Sequence, residues 1–263
     1  MGTENFQGKN YKIYPLYEAI FIGISVFLAI FITTYFIYQH AINAQKGEIK
    51  EGLIRTAQVV AVFIDGDEHK KFISSEQEKS DSYLHSIQPF EAVLNADKSI
   101  KYLYTTILKD DKVYFILDPT PSGDADGDGV DDKAHIMDEY TEASSEIKQA
   151  LRNQEIVVSE QPYSDRWGSF VSGYIPFYDK SGNFSGVLGI DIEAKNYFER
   201  LAPIKRATTR TMVAGFFIAF LIASLVWFTR NFGLVVNQKR LDAYERIIAK
   251  QSAQIKESHL DGD

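Results

Sequence analysis

The stretch SGDADGDGVDDKAH (122–135) concentrates five aspartates and three glycines with almost nothing apolar between them. Asp124, Asp126, Asp128 and Gly129 fill the first, third, fifth and sixth places of a D-x-D-x-D-G pattern. Calcium sites need several oxygen ligands alternating along a tightly turned chain, with glycine where the backbone reverses. Val130 would offer its carbonyl at the seventh place and Asp132 its carboxylate at the ninth. The twelfth place holds His135 instead of a bidentate glutamate, which argues against an EF-hand. Asp138 or Glu139 would then close the site. The competing reading is a solvated acidic turn. Against it, so many carboxylates without a cation repel one another, and uncharged turn residues would make the same turn. Calcium is the expected ion.

Other chemistries are narrowed by composition. The chain has no cysteine, which excludes disulfides, thiolate metal sites and cysteine nucleophiles. Its formal charge of -8 argues against nucleic acid as a partner. The five histidines are scattered, and no nucleophile–base pairing or phosphate-binding glycine loop stands out, so the chain is expected not to be an enzyme.

The loop must be held by something, and the apolar residues show what. Ala19–Tyr38 (AIFIGISVFLAIFITTYFIY) and Thr211–Phe228 (TMVAGFFIAFLIASLVWF) are uncharged and long enough to cross a bilayer as helices. Tyr35, Tyr38 and Trp227 suit interfacial belts. The expected organisation is a cytoplasmic tail (1–18), a span (19–38), an extracytoplasmic domain (39–210), a second span (211–229) and a cytoplasmic helix (230–263). Both termini then share the cytoplasmic side of a bacterial inner membrane.

Within 39–210, Ile49, Leu53, Ala57, Val60 and Ile64 recur at helical spacing and predict one long amphipathic helix. IKYLYTTI (100–107) and KVYFILD (112–118) predict a hairpin about Lys109-Asp110-Asp111. A helical stretch is expected at 138–152 and a short strand in EIVVSE. GSFVSGYIPFY and FSGVLGIDIE predict a second hairpin about DKSGN, and AKNYFERLAPIKRATTR an exit helix. The fold class is α+β: an antiparallel sheet with helices packed on it.

YSDRWGSFVSGYIPFYDKSGNFSGVLGIDI (163–192) resembles the second half of PAS-like (Cache-type) extracytoplasmic sensor domains of bacterial receptors. YLYTTILKDDKVYFILD (102–118) is similar to their central hairpin, and AQVVAVFIDGDEHKKF to the end of their long first helix. The acidic loop also resembles thrombospondin-type calcium repeats. The resemblance implies a small-molecule pocket over the sheet, near Tyr104, Tyr114, Arg166, Trp167, Ser172, Tyr174 and Asp191. Arg166 would pair with a ligand carboxylate and Asp191 with an amine.

Beyond the second apolar run, Leu241, Tyr244, Ile248 and Ile255 form a short heptad seam, which predicts pairing with a second copy. The function expected is sensing of a small molecule or calcium and relay through a homodimer. The output would be a cytoplasmic module outside this chain, of the diguanylate cyclase, histidine kinase, class III cyclase or chemoreceptor kind. The alternative is a stand-alone membrane-anchored calcium-binding or scaffolding protein.

Overall fold

In the computed structural model, residues 14–124, 127, 129 and 131–260 are described, with side chains through Ser252. The chain divides into one unit of residues 40–205 and another of residues 1–39 with 206–263.

The 40–205 unit is built on an antiparallel sheet in the order β2-β1-β6-β5-β3, with β4 also paired to β5. Its strands are β1 (Ile100–Lys109), β2 (Lys112–Phe115), β3 (Val157–Val158), β4 (Tyr163–Asp165), β5 (Gly168–Tyr178) and β6 (Phe184–Glu193). The β1–β2 hairpin turns on Asp110 and Asp111, both at positive φ (50° and 63°), a two-residue turn whose twist matches the strands. The β5–β6 hairpin closes on Asp179, whose carboxylate accepts the N–H groups of Ser181 and Asn183 at 2.9 and 2.8 Å.

Both faces of this sheet are covered. On one lies the second half of α1 (Pro15–Ala61), burying Ile49, Leu53, Ala57 and Val60. Ile49 and Leu53 share a groove with Ile190 and Ile192 of β6. On the other face lies a cluster joining Tyr102, Tyr104, Phe170, Tyr174 and Val187 to Ala134, Tyr140, Ile147 and Leu151. Double coverage explains why β6 is buried almost throughout instead of alternating.

One detail differs from expectation. The helix predicted at 138–152 is confined to α4 (Ser145–Asn153), with Ser144 as its cap. The preceding residues instead extend the sheet edge: the N–H of Tyr140 bonds the carbonyl of Val113 (2.8 Å), and that of Met137 bonds the carbonyl of Phe115 (2.8 Å). Backbone pairing to an open strand edge outweighs helical periodicity there. Between α1 and β1 lie α2 (Gly66–His69) and a longer helix, α3 (Asp81–Ala96), which contains Pro89 and buries Tyr83, Ile87 and Phe90. At the other edge, β4 pairs with β5 through Tyr163, Ser164 and Asp165, so the YSDRWG segment is a tight hairpin.

In the other unit, the apolar part of α1 meets that of α5 (Ala194–Leu260). Their apolar windows are almost entirely unburied. Gly23 allows the close approach, since a Cβ there would lie 2.9 Å from the Cβ of Ala223. The rings of Phe27 and Phe216 meet edge to face at 6.2 Å, and Arg230 pairs with Glu18 at 3.1 Å. Small residues at such a crossing let two helix backbones approach closely. Gly23→Leu is expected to cost about 1–3 kcal/mol by overpacking, read as a lower melting point in detergent micelles.

Candidate functional site

Asp191 lies on β6, opposite Tyr102 of β1 and Ser172 of β5. Strand alternation puts Asp191, Gly189 and Val187 on the face that looks away from α1. The side chains of Tyr102 and Tyr104 come from β1 to the same face, and those of Phe170, Ser172 and Tyr174 from β5. Phe115 and Asp118 enter from β2 and the segment after it, and Tyr140 from the segment before α4. Between these groups lies a small cavity with about 20 Å³ of room for water centres, the space of one or two waters.

Four carboxyls line it, from Asp118, Asp132, Asp165 and Asp191, with six aromatic rings and Ala134. The rings stand edge to face or tilted. Phe115 is 4.7 Å from Tyr140, 5.4 Å from Trp167 and 5.3 Å from Tyr104, and Tyr102 is 5.5 Å from Phe170. Trp167 closes the wall from the β4–β5 turn. Its indole N–H donates to the carbonyl of Asp131 at 3.0 Å, tying that turn to the acidic loop.

A hydroxyl network backs the wall. Tyr140 donates to Asp165, and its oxygen lies 3.3 Å from that of Tyr163. Tyr174 and Ser172 donate to the Tyr163 oxygen at 3.1 and 3.3 Å. Burial holds the phenols of Tyr104, Tyr140, Tyr163 and Tyr174 well above their ordinary range. They are therefore neutral hydrogen-bonding groups.

Asp191 stands apart. It is 3% exposed, yet its Oδ1 has no hydrogen-bond partner, and neither does the buried hydroxyl of Tyr104. Desolvation pushes the Asp191 carboxyl up to about 7. Asp165 adds repulsion, while the nearby hydroxyls of Ser172 and Tyr104 pull the other way. Burial also raises Asp165 and Asp118. Asp118 is nevertheless well satisfied: its carboxyl accepts the N–H groups of Thr120 and Ala134, both at 2.8 Å. A buried carboxyl oxygen without a partner is costly. A small molecule with a donor or a positive charge would relieve that cost.

Of the residues expected at a pocket, Tyr104, Trp167 and Asp191 line the cavity, and Ser172 and Tyr174 belong to the network behind it. Arg166 does not line it. Its guanidinium turns outward to Glu142 (2.8 Å) and the hydroxyl of Thr141 (2.8 Å), above the Trp167 ring. Tyr114 does not either, because its neighbour Phe115 takes the inward position on β2. Tyr102, Asp118, Tyr140 and Asp165 went unrecognised in the sequence. Tyr102 is two residues from Tyr104 and shares its face, a signal strand parity carried. Tyr140 carried none, since it arrives through the sheet-edge pairing.

Three of the six metal candidates, Asp124, Asp132 and Asp138, lie among the described residues. Asp132 faces the cavity and accepts from the Tyr102 hydroxyl at 3.4 Å. The carboxylate of Asp124 accepts the N–H groups of Gly127 and Gly129 at 2.7 and 2.9 Å, and that of Asp138 accepts the N–H of His135 at 2.9 Å. Asp126, Asp128 and Val130 lie outside the described residues. Among the described residues no three histidine or carboxylate side chains are grouped to hold a metal ion.

The site depends on close packing behind Tyr104. A Cβ on Gly189 would lie 2.6 Å from that ring. Gly189→Ala is expected to cost about 1–3 kcal/mol in urea unfolding, by driving the Tyr104 ring toward the cavity.

No protein-family model matches the chain, and no curated protein matches it. Among solved structures the chain is similar to bacterial sensor domains. One is the ligand-binding domain of the Campylobacter jejuni chemoreceptor Tlp3 in complex with L-valine, at 15% identity and a TM-score of 0.44, covering 69% of this chain and 67% of that one. Another is the sensor domain of Escherichia coli DcuS, at 19% identity and a TM-score of 0.39, covering 58% and 97%. A third is the ligand-binding domain of the Pseudomonas aeruginosa amino acid chemoreceptor PctC in complex with GABA, at 14% identity and a TM-score of 0.36, covering 65% and 64%. The chain thus spans about two thirds of the Tlp3 domain's length. At these scores the likeness assigns no residue a role, and the roles here rest on the cavity itself.

Proposed function

We propose that the chain is the sensing and transducing part of a bacterial membrane receptor. Its 40–205 unit lies outside the cytoplasm and binds a small organic molecule in the Asp191 cavity. The apolar stretches of α1 and α5 cross the bilayer, and two copies relay the change to a cytoplasmic output module. The observation that carries this reading is the unpartnered, buried Asp191 oxygen at the cavity wall, on a strand that runs directly into α5 at Ala194. A molecule that bonds Asp191 alters how the end of β6 is held, and so how α5 begins. It shifts the receptor only by the difference in its affinity for the two states.

Pairing of copies is supported by the exposed stripe of Leu241, Tyr244 and Ile248 on α5. Ile255 lies beyond the described side chains. The test is a thermal-shift screen of small polar organic compounds against the full chain in lipid nanodiscs. A binder at a hundred times its Kd adds about 2.7 kcal/mol of stability. At least one compound is expected to stabilise the wild type and not Asp191→Asn. If every stabilising compound acts equally on both proteins, the cavity is not the sensing site.

A further inference from the structure

The wall of the Asp191 cavity is selective in its composition. Of its eleven residues four are aspartates, six are aromatic and none is basic. The basic side chains that neighbour it in sequence are engaged elsewhere. Arg166 holds Glu142, Lys101 lies 3.8 Å from Glu193, and Lys133 donates to the main-chain carbonyl of Asp118 at 2.5 Å. A ligand carboxylate would therefore find no cation in this wall and would meet carboxyls. An α-amino acid is only half matched: its ammonium has a partner and its carboxylate is repelled.

The choice among cations follows from the remaining groups. A bare ammonium needs about three acceptors. Asp118, Asp132 and Asp165 already accept from protein donors, which leaves Asp191 Oδ1 and the hydroxyl of Tyr104 unpartnered. Ring faces and edges make up most of the remaining wall. Alkylated ammonium ions, whose charge is spread over methyl groups that cannot donate, are held by aromatic faces through cation–π attraction. We infer that the cavity takes a small alkylated ammonium ion without a carboxylate, its charge facing Asp191 and its methyl groups against the aromatic wall. This rests on the reading of the cavity as the sensing site and names the class of molecule sensed. The space present holds only water, so entry requires the β4–β5 turn to lift, breaking the bond from Trp167 to Asp131.

The test is calorimetry on the full chain in nanodiscs with four probes: choline, its neutral isostere 3,3-dimethylbutan-1-ol, glycine betaine and L-alanine. Choline is expected to bind saturably and at least tenfold more tightly than each of the other three. Asp191→Asn should weaken choline at least tenfold. The choline–isostere comparison uses the wild type alone and so does not depend on how a variant folds. Choline binding no tighter than its isostere overturns the inference, as does undiminished choline binding in Asp191→Asn. If L-alanine binds best and needs Asp191, the alkylated-ammonium class falls while the sensing site stands. If no compound's binding depends on Asp191, both fall.

Discussion

Asp191→Asn is expected to make the protein more stable at pH 8, not less. The carboxyl rises from 3.8 in the unfolded chain to about 7 in the fold, chiefly through desolvation. A raised acid binds its proton more tightly when folded, so its stability is full below 3.8 and is lost as pH climbs toward 7. The rise corresponds to about 4 kcal/mol at and above pH 7, since each unit is worth about 1.4 kcal/mol. Asparagine carries no charge, so the variant escapes this loss, less whatever its unpaired amide costs. Urea unfolding of wild type and variant from pH 4 to 8 checks it. The stability difference should grow in the variant's favour across that range, and a difference independent of pH would show that the wild-type carboxyl is not strained by burial. The same variant is expected to lose its ligand. A binding site that is unstable when empty and charged is the usual price of function.

His69 is expected to impose the opposite slope. It is 1% exposed at the end of α2, its ring edge to face with Phe177 at 4.8 Å and its Nε2 2.8 Å from the hydroxyl of Thr105. Its Nδ1 has no partner. Desolvation, aided by the charge of Lys70, lowers its titration from 6.5 to about 3. The unfolded chain therefore takes up a proton below 6.5 that the folded one refuses, and stability is full above 6.5 and lost as pH falls toward 3. By pH 4 the loss is about 3 kcal/mol. His69→Gln should start about 1–3 kcal/mol less stable at pH 7.5, through lost packing, and then close on the wild type as the medium is acidified. A gap that stays constant from pH 7.5 to 4 would sink the assignment. Between pH 4 and 6.5 the two residues work against each other. The wild type conceals both slopes there, and each variant uncovers the other's. Asp118 and Asp165, also raised by burial, add to the direction set by Asp191.

How much of this was legible beforehand follows from the range of the interactions involved. The β5–β6 hairpin was read residue for residue from alternation and turn chemistry, because both act within a few residues. The two apolar helices were legible for the same reason: backbone bonds in a helix are local, and eighteen or more uncharged residues in succession need no tertiary partner to declare themselves. Asp191 was read as a pocket candidate from β6 of that hairpin, and Tyr104 from β1, a strand equally legible by its alternation.

What the sequence could not decide was which polar groups would meet. Arg166 adjoins Trp167 in the chain, yet a strand turn sends the guanidinium outward to Glu142 and the indole inward over the cavity. Tyr140 and Asp165 touch only because residues 137–140 join the edge of β2. Of the six candidate metal ligands in and beside the acidic loop, three lie outside the described residues, and Asp132 faces the cavity. Composition determined an acidic, cysteine-free chain, and the order of its apolar residues determined two apolar runs and an α+β domain. Long-range packing decided that Asp191, a buried carboxyl whose Oδ1 has no partner, lies among aromatic rings, because desolvation is a property of everything that surrounds a group and not of its neighbours in the chain.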